Sequence, residues 1–254
     1  MQFIAAGDTD IGLVKETNQD SYGVKIIQTP AGIMTLAVLC DGMGGYSKGE
    51  VASATLVHAF LKWADTRLPI LCTSLSEETL RPEWNALAIA YNQKIAAYGN
   101  NVGITLGTTL TAILLTQTKY FVIHVGDSRL YQFADAGVCL TRDQTVVARE
   151  IEEGLLTEEQ AKTDARRSVL LQCIGASETV VPDFFSGAVR ENAVYMLCSD
   201  GFCHEITIQD MFNCLRPEVM QNQAEMMQNM RLLIDTDKQR QERDNISVVC
   251  VRTY

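Results

Sequence analysis

Five aspartates stand where an apolar run meets a turn: Asp20 in TNQDSYGV, Asp41 in LAVLCDGMGGYSKGEVASA, Asp127 in VIHVGDSRLYQF, Asp200 in YMLCSDGF and Asp244 in RDNISVVCV. Any one of them is ordinary turn chemistry, because Asp-Gly and Gly-Asp pairs close turns in most folds. Five of the same character are a different matter. Strand ends of one sheet system can converge, and converging carboxylates repel one another unless cations neutralise them. An all-oxygen cluster suits hard divalent cations such as Mg2+ or Mn2+, whereas the three histidines, His58, His124 and His204, have no zinc spacing. Two such ions bridged by carboxylate and water acidify that water and clamp a transferring phosphoryl group, so metal-assisted phosphoester hydrolysis is the reaction this pattern favours. Gly42, Gly44 and Gly45 follow Asp41; they let the backbone turn sharply and bring a main-chain carbonyl to an ion, or simply make a tight turn into a helix.

Positioning such a cluster takes strands. Runs of Val, Ile, Leu, Thr and Tyr bounded by Gly, Asp and Asn predict strands near Phe3–Ala6, Ser21–Ile27, Thr35–Cys40, Thr108–Leu115, Tyr120–Val125, Leu130–Phe133, Val180–Val189, Val194–Cys198 and Ile246–Val251. Helical spacing follows Gly49 (Ala52, Leu56, Ala59, Phe60, Trp63) and recurs from Trp84 to Tyr98, which assigns both tryptophans to packing. A last helical pair covers Ile208 to Asp235. Residues 140–175 are charged and lack a strong apolar period; Thr157 to Gln160 form a capping-box sequence there, so this is an exposed excursion containing a helix. Strands, helices, strands, helices and a final strand predict an α+β fold with segregated layers.

With 254 residues, 47% of them hydrophobic and 20% charged, and no linker-like tract, the chain reads as one domain, residues 1–254. Its net charge of -10, from 31 acidic and 21 basic residues, argues against nucleic-acid or anionic-membrane partners. The longest apolar runs are strand-sized, and MQFIAAGDTD has neither a basic start nor a cleavable apolar segment, so a cytoplasmic protein without membrane insertion is expected. The eight cysteines include no C-x-x-C pair and several lie in apolar runs, as reduced core residues do.

In order, TDIGLVKETNQDS, LCDGMGGYSKGEVAS, GTTLTAILL, HVGDSRLY, LTRDQT, LCSDGF and DNISVVCV resemble the motif set of the metal-dependent protein serine/threonine phosphatases, the PP2C or PPM family, in its compact bacterial form. The resemblance extends from Thr9 to Val251. It implies a four-layer α-β-β-α sandwich, two central antiparallel sheets flanked by helix pairs, with a binuclear Mn2+ or Mg2+ centre at one edge. By the same resemblance Asp41 bridges both metals and the Gly42 carbonyl binds the second. Asp200 and Asp244 complete the shell of the first, Asp20 holds metal-bound water from behind, and Asp127 with Asp200 binds a third, looser ion. Water bridging the metals then attacks phosphorus in line without a phosphoenzyme. The stretch from about 143 to 170 resembles a flap beside the site, where Arg166 and Arg167 are either phosphopeptide contacts or solvated surface arginines. The implied partners are phosphorylated proteins, a serine/threonine kinase among them, and the expected state is a monomer.

Three positions depart from the family pattern. Lys15 stands where an Arg usually grips substrate phosphate, and an ammonium lacks the two-pronged geometry. Gln19 replaces a common Glu and removes a negative charge beside the metals. Met43 occupies the place of a histidine proposed as general acid in animal members, which leaves the proton donor unnamed. An inactive, phosphoprotein-binding relative of the enzyme is the alternative these changes keep open. Asp8-Thr9-Asp10 has the D-x-D of haloacid dehalogenase phosphatases, but Gly12 follows where that motif wants Thr or Val, so these aspartates are read as polar residues closing an edge strand. No calcium-binding D-x-[DN]-x-[DN]-G loop occurs.

Overall fold

Strands that are apolar at every position need a cover on both faces, and the period of two along them says which residue meets which cover. The computed structural model of the protein describes residues 1–43 and 48–254; Gly44 and Gly45, to which the sharp turn was assigned, lie outside the described residues. Strands β1 (Phe3–Asp10), β2 (Asp20–Thr29), β3 (Gly32–Met43), β4 (Gly107–Thr108), β5 (Leu110–Leu115), β6 (Lys119–Val125), β7 (Arg129–Phe133), β8 (Gly137–Cys139), β9 (Asp183–Ala188), β10 (Ala193–Cys198) and β11 (Ile246–Thr253) form two antiparallel sheets. One has the order β1-β11-β10-β7-β8, the other β2-β3-β5-β6-β9, with β4 paired to the end of β3.

Helices α1 (Gly49–Thr66), α2 (Leu68–Leu71) and α3 (Glu77–Val102) precede β4; α4 (Val146–Glu152) and α5 (Glu158–Ala161) lie between β8 and β9; α6 (Asp200–Cys203), α7 (Ile208–Leu215) and α8 (Gln223–Gln239) separate β10 from β11. Three apolar layers result. On β3, Ala37 and Leu39 face Tyr195, Leu197 and Val249 of the other sheet, while Leu36, Val38 and Cys40 face Leu56, Phe60 and Trp84 of α1 and α3. On β10 and β11, Met196 and Val248 turn outward onto Met226, Met230 and Leu233 of α8. The architecture is therefore helices, sheet, sheet, helices. Trp84 is fully buried, edge-on to Trp63 and Phe60 with ring centroids 5.5 and 5.6 Å away, as a packing residue should be.

All nine predicted strands are present. The predicted strand 108–115 is two pieces, because Thr109 leaves the ladder to bond Asp41, and β8 is additional. Asp8 and Asp10 lie on the edge strand β1, paired with Arg231 and Lys238 of α8. The Thr157 capping box forms as read and starts α5. All eight cysteines are unpaired, and Cys40, Cys72, Cys173, Cys198 and Cys250 are buried. Among the described residues no helix is long and apolar enough to cross a membrane.

Candidate metal centre

The five aspartates gather at one edge of the sandwich and come from both sheets. Asp20 opens β2 and pairs in register with Asp41 near the end of β3. Asp200 opens α6 directly after β10, Asp244 precedes β11, and Asp127 sits in the turn where the chain passes from β6 to β7. Asp41, Asp127, Asp200 and Asp244 line one cavity of about 200 Å3, together with Lys15, Gln19, Gly42, Met43, Thr109 and Ser168. Asp20 stands behind it, almost fully buried.

Backbone bonds fix Asp41. Its N–H donates to Thr109 Oγ1 (2.8 Å), and its carbonyl accepts from Thr109 N (2.9 Å) and Thr108 Oγ1 (2.9 Å). Thr109 Oγ1 is itself held by Ser128 Oγ at 2.7 Å. The GTTLT and GDS segments thus hold the main chain of Asp41 and leave its carboxylate facing the cavity. Across the site, Asn245 Oδ1 accepts from Gln19 N (2.9 Å), and its Nδ2 donates to the carbonyls of Ile11 (2.9 Å) and Thr17 (3.2 Å), tying the loop that carries Lys15 to the strand after Asp244. Thr109 and Asn245 lie within the motifs quoted above, but no role was assigned to them, and Ser168, contributed by the flap, had no sequence signal.

The backbone at Gly42 has no room for a side chain. A Cβ there would lie 2.3 Å from the Gly49 carbonyl oxygen and 2.5 Å from that of Gln19, both main-chain atoms. Gly42 N donates to Gln19 O at 3.1 Å. With its amide oriented to satisfy both neighbours, the Gln19 side chain donates to the Gly42 carbonyl (3.3 Å) and accepts from Gly49 N (3.2 Å). A Glu could not make the first of these bonds, so Gln19 supports Gly42 as well as removing a charge.

Burial raises the pKa of Asp41 well above the usual carboxylate range, and the charges of Asp20, Asp200, Asp127 and Asp244 add to it. Asp127 is raised similarly, by burial and then by Asp200 and Asp143. Burial pushes Asp20 up to about 7, the charges of Asp200 and Asp244 adding to it against the nearby Ser247 and Ser199 hydroxyls; neither of its carboxylate oxygens has a hydrogen-bond partner within normal geometry. Buried carboxylates that raise one another, one of them orphaned, are what a cation site looks like before charge is supplied. Among the described residues no three His, Cys, Asp or Glu side chains are already arranged at chelating distance. The donors present fit Mn2+ or Mg2+: four carboxylates dominate the cavity wall, the Met43 thioether is its one sulfur, and no imidazole lines it.

The sequence pattern of the family described as Protein phosphatase 2C matches residues 14–231. The chain belongs to that family. A putative protein phosphatase 2C-type protein of Streptococcus pyogenes serotype M6 is 30% identical over 252 residues, covering 96% of this chain and 94% of the relative. The serine/threonine protein phosphatase PstP of Mycobacterium tuberculosis is 32% identical over 219 residues, and the match spans 40% of that relative's length. The solved structure of the Streptococcus agalactiae serine/threonine phosphatase superposes with a TM-score of 0.85 at 26% identity over 100% of both chains. A structure of the PstP catalytic domain in complex with two manganese ions does so with a TM-score of 0.79 at 28% identity, over 98% of this chain and 97% of that one.

Against the protein phosphatase 2C pattern, the three departures now have places. Lys15 reaches into the cavity, but its ammonium lies 2.6 Å from Asp244 Oδ1. Burial lowers the Lys15 pKa, and Asp244, Asp41 and Asp200 together outweigh that and raise it. Met43 lines the cavity and offers no proton. The flap is stitched at its base by Val146 N to Val169 O (2.9 Å) and Leu171 N to Gln144 O (2.8 Å). Arg166 is committed within it, both guanidinium ends lying 2.8 Å from Glu150, with Asp164 beside them. Of the two arginines left open as phosphopeptide contacts or solvated surface residues, Arg167 lines a groove and Arg166 does not. That groove, about 510 Å3, runs from Lys162 and the apolar Val147 and Ile151 to Asp127 and Asp200. His204 is there as well, between Asp200 and Glu242, and although burial lowers its pKa these two carboxylates bring it up to about 9.

Proposed function

We propose that the protein hydrolyses phosphoserine and phosphothreonine on proteins, using two Mn2+ or Mg2+ ions held at the strand ends. The observation that carries this reading is the cavity walled by Asp41, Asp127, Asp200 and Asp244, with the orphaned Asp20 behind it. Asp41 would bridge the ions, the Gly42 carbonyl would bind one of them, and Asp200 and Asp244 would complete the other's shell. Asp20 would accept from water behind them, and Asp127 with Asp200 would hold a third ion. When bound, the ions supply positive charge to a phosphoryl group and acidify water at the site.

The chain's own part is positioning. Thr108 and Thr109 hold Asp41 through its backbone, Gln19 holds the Gly42 carbonyl, and Asn245 holds the loop bearing Lys15. Lys15, which stands 2.6 Å from Asp244, would offer a phosphoryl oxygen a point charge. Placing reactants and charge in this way is the greater part of phosphoryl-transfer catalysis. The groove beside the flap accepts the peptide around the phosphoresidue, with Arg167 and Lys162 along it. We further propose one catalytic domain, a cytoplasmic monomer, acting against a serine/threonine kinase on their shared substrates.

The test is hydrolysis of p-nitrophenyl phosphate and of a phosphothreonine peptide with Mn2+, with Mg2+ and with EDTA. Turnover with either metal and none with EDTA is expected. Metal-independent turnover would overturn the proposal, and phosphopeptide binding without turnover would make the protein a binding module.

A further inference from the structure

Two of the carboxylates at the centre are joined by a chain of contacts that does not pass through the cavity. Glu242 is 5% exposed, and its Oε1 accepts the backbone N–H groups of Arg243 (2.7 Å) and Asp244 (2.8 Å), which fixes the main chain on which Asp244 is mounted. Its Oε2 lies 3.2 Å from His204 Nδ1. The other ring nitrogen, Nε2, lies 3.4 Å from Asp200 Oδ2. Both imidazole nitrogens thereby face carboxylates, Nδ1 through a hydrogen bond and Nε2 as a longer ion-pair contact. His204 is four residues after Asp200, so the two side chains stand on one face of the chain leaving α6.

Asp200 needs such support. It opens a helix of four residues, Asp200–Cys203, whose preceding Ser199 gives no side-chain cap. Its carboxylate lines the cavity beside those of Asp41, Asp127 and Asp244, like charges that repel it, and His204 Nε2 stands 3.4 Å from it on the other side. A short helix does not hold a side chain against that repulsion, whereas a ring pinned on its far side by a buried carboxylate does. Partners of this kind, one shell behind a ligand, fix its direction and its affinity for an ion.

We propose that His204, clamped by Glu242, is a positioning residue that sets the direction of the Asp200 carboxylate relative to Asp244, leaving one Asp200 oxygen on the imidazole and presenting the other to a cation. The proposal rests on the reading of Asp200 and Asp244 as ligands of one metal. Its sequence signature is Asp200-x-x-x-His204 with Glu242-x-Asp244.

The experiment measures Mn2+ binding by titration calorimetry on purified His204→Ala, Glu242→Gln and the double variant, with Asp200→Asn as reference, alongside kcat and KM on p-nitrophenyl phosphate across a Mn2+ series. His204→Ala is expected to weaken Mn2+ binding about 10- to 100-fold, with kcat restored at saturating Mn2+ and KM for the phosphoester unchanged. Glu242→Gln should lie between, and the double variant should be no worse than His204→Ala, since both act through one chain. Circular dichroism and thermal unfolding in EDTA show which variants are folded, and Glu242→Gln carries the test if His204→Ala is not. Mn2+ affinity within twofold of the parent in the folded variants overturns the proposal. So does a loss of kcat that saturating Mn2+ does not restore, because it assigns the imidazole to the chemistry. If Asp200→Asn also leaves Mn2+ binding intact, the metal reading itself falls with it.

Discussion

Asp20 and Asp41 are Cα partners across the β2–β3 ladder, and Asp20 meets that neighbour with no hydrogen bond to either carboxylate oxygen. Two buried acids side by side cost stability unless a cation or a proton is supplied. Asp41→Asn is therefore expected to leave the metal-free protein at least as stable as the parent while abolishing turnover and the stabilisation conferred by Mn2+. Thermal unfolding with EDTA and with Mn2+ reads both effects. A variant that unfolds lower in EDTA but keeps its Mn2+ shift would contradict the assignment.

Lys15 holds Asp244 at 2.6 Å in the cavity a metal would share. Removing the ammonium should act in opposite directions on the two ligands. Lys15→Ala is expected to tighten Mn2+ binding several-fold and to raise KM for the phosphoester, whereas Lys15→Arg should equal or lower the parental KM. Calorimetry and initial rates separate the two, and a Lys15→Ala protein with unchanged KM would remove Lys15 from phosphate binding.

The flap arginines divide by their neighbours. Arg166 braces Glu150 and Asp164, while Arg167 lines the groove. Arg167→Ala should raise KM several-fold on a phosphopeptide and leave p-nitrophenyl phosphate, which has no peptide to dock, unaffected. Arg166→Ala should instead make residues 143–170 more susceptible to limited proteolysis. Equal effects of Arg167→Ala on both substrates would speak against the groove.

Asp237 on α8 is fully buried with neither carboxylate oxygen partnered, and burial, then Glu242 and Cys203, raise its pKa from 3.8 to about 8. A folded-state acid that is harder to ionise binds its proton where the unfolded chain has lost one, so its contribution to stability is present below about pH 4 and is lost as pH rises toward 8. Asp237→Asn is expected to flatten that fall and to stabilise the protein at pH 8 by roughly a few kcal/mol. Urea unfolding of both proteins from pH 5 to 9 measures it, and parallel pH curves would refute it.

The strands were legible because most carry an apolar run bounded by Gly, Asp or Asn, as β3, β5 and β10 do, and the motif aspartates because each stands at an end of such a run. The division of 108–115 at Thr109 was not, since a threonine that abandons its ladder to hold Asp41 is indistinguishable in sequence from one that stays. β8 escaped because Gly137–Cys139 is too short to show a period. Arg166 and Arg167 are alike in the chain, and only the positions of Glu150 and Asp164 separate them. The pairing of His204 with Glu242 joins residues 38 apart, a distance over which local pattern carries no information.

Asp20 and Asp41 belong to one sheet, Asp200 and Asp244 flank strands of the other, and the proposed ions lie between them. A chain that has folded one sheet alone would carry half a chelate, and a sandwich docked out of register would offer carboxylates that miss each other. Such a molecule could neither keep the ions nor act on a phosphoprotein. Metal binding would then double as proofreading of assembly: the proposed activity would begin only after the two halves of the chain have met correctly.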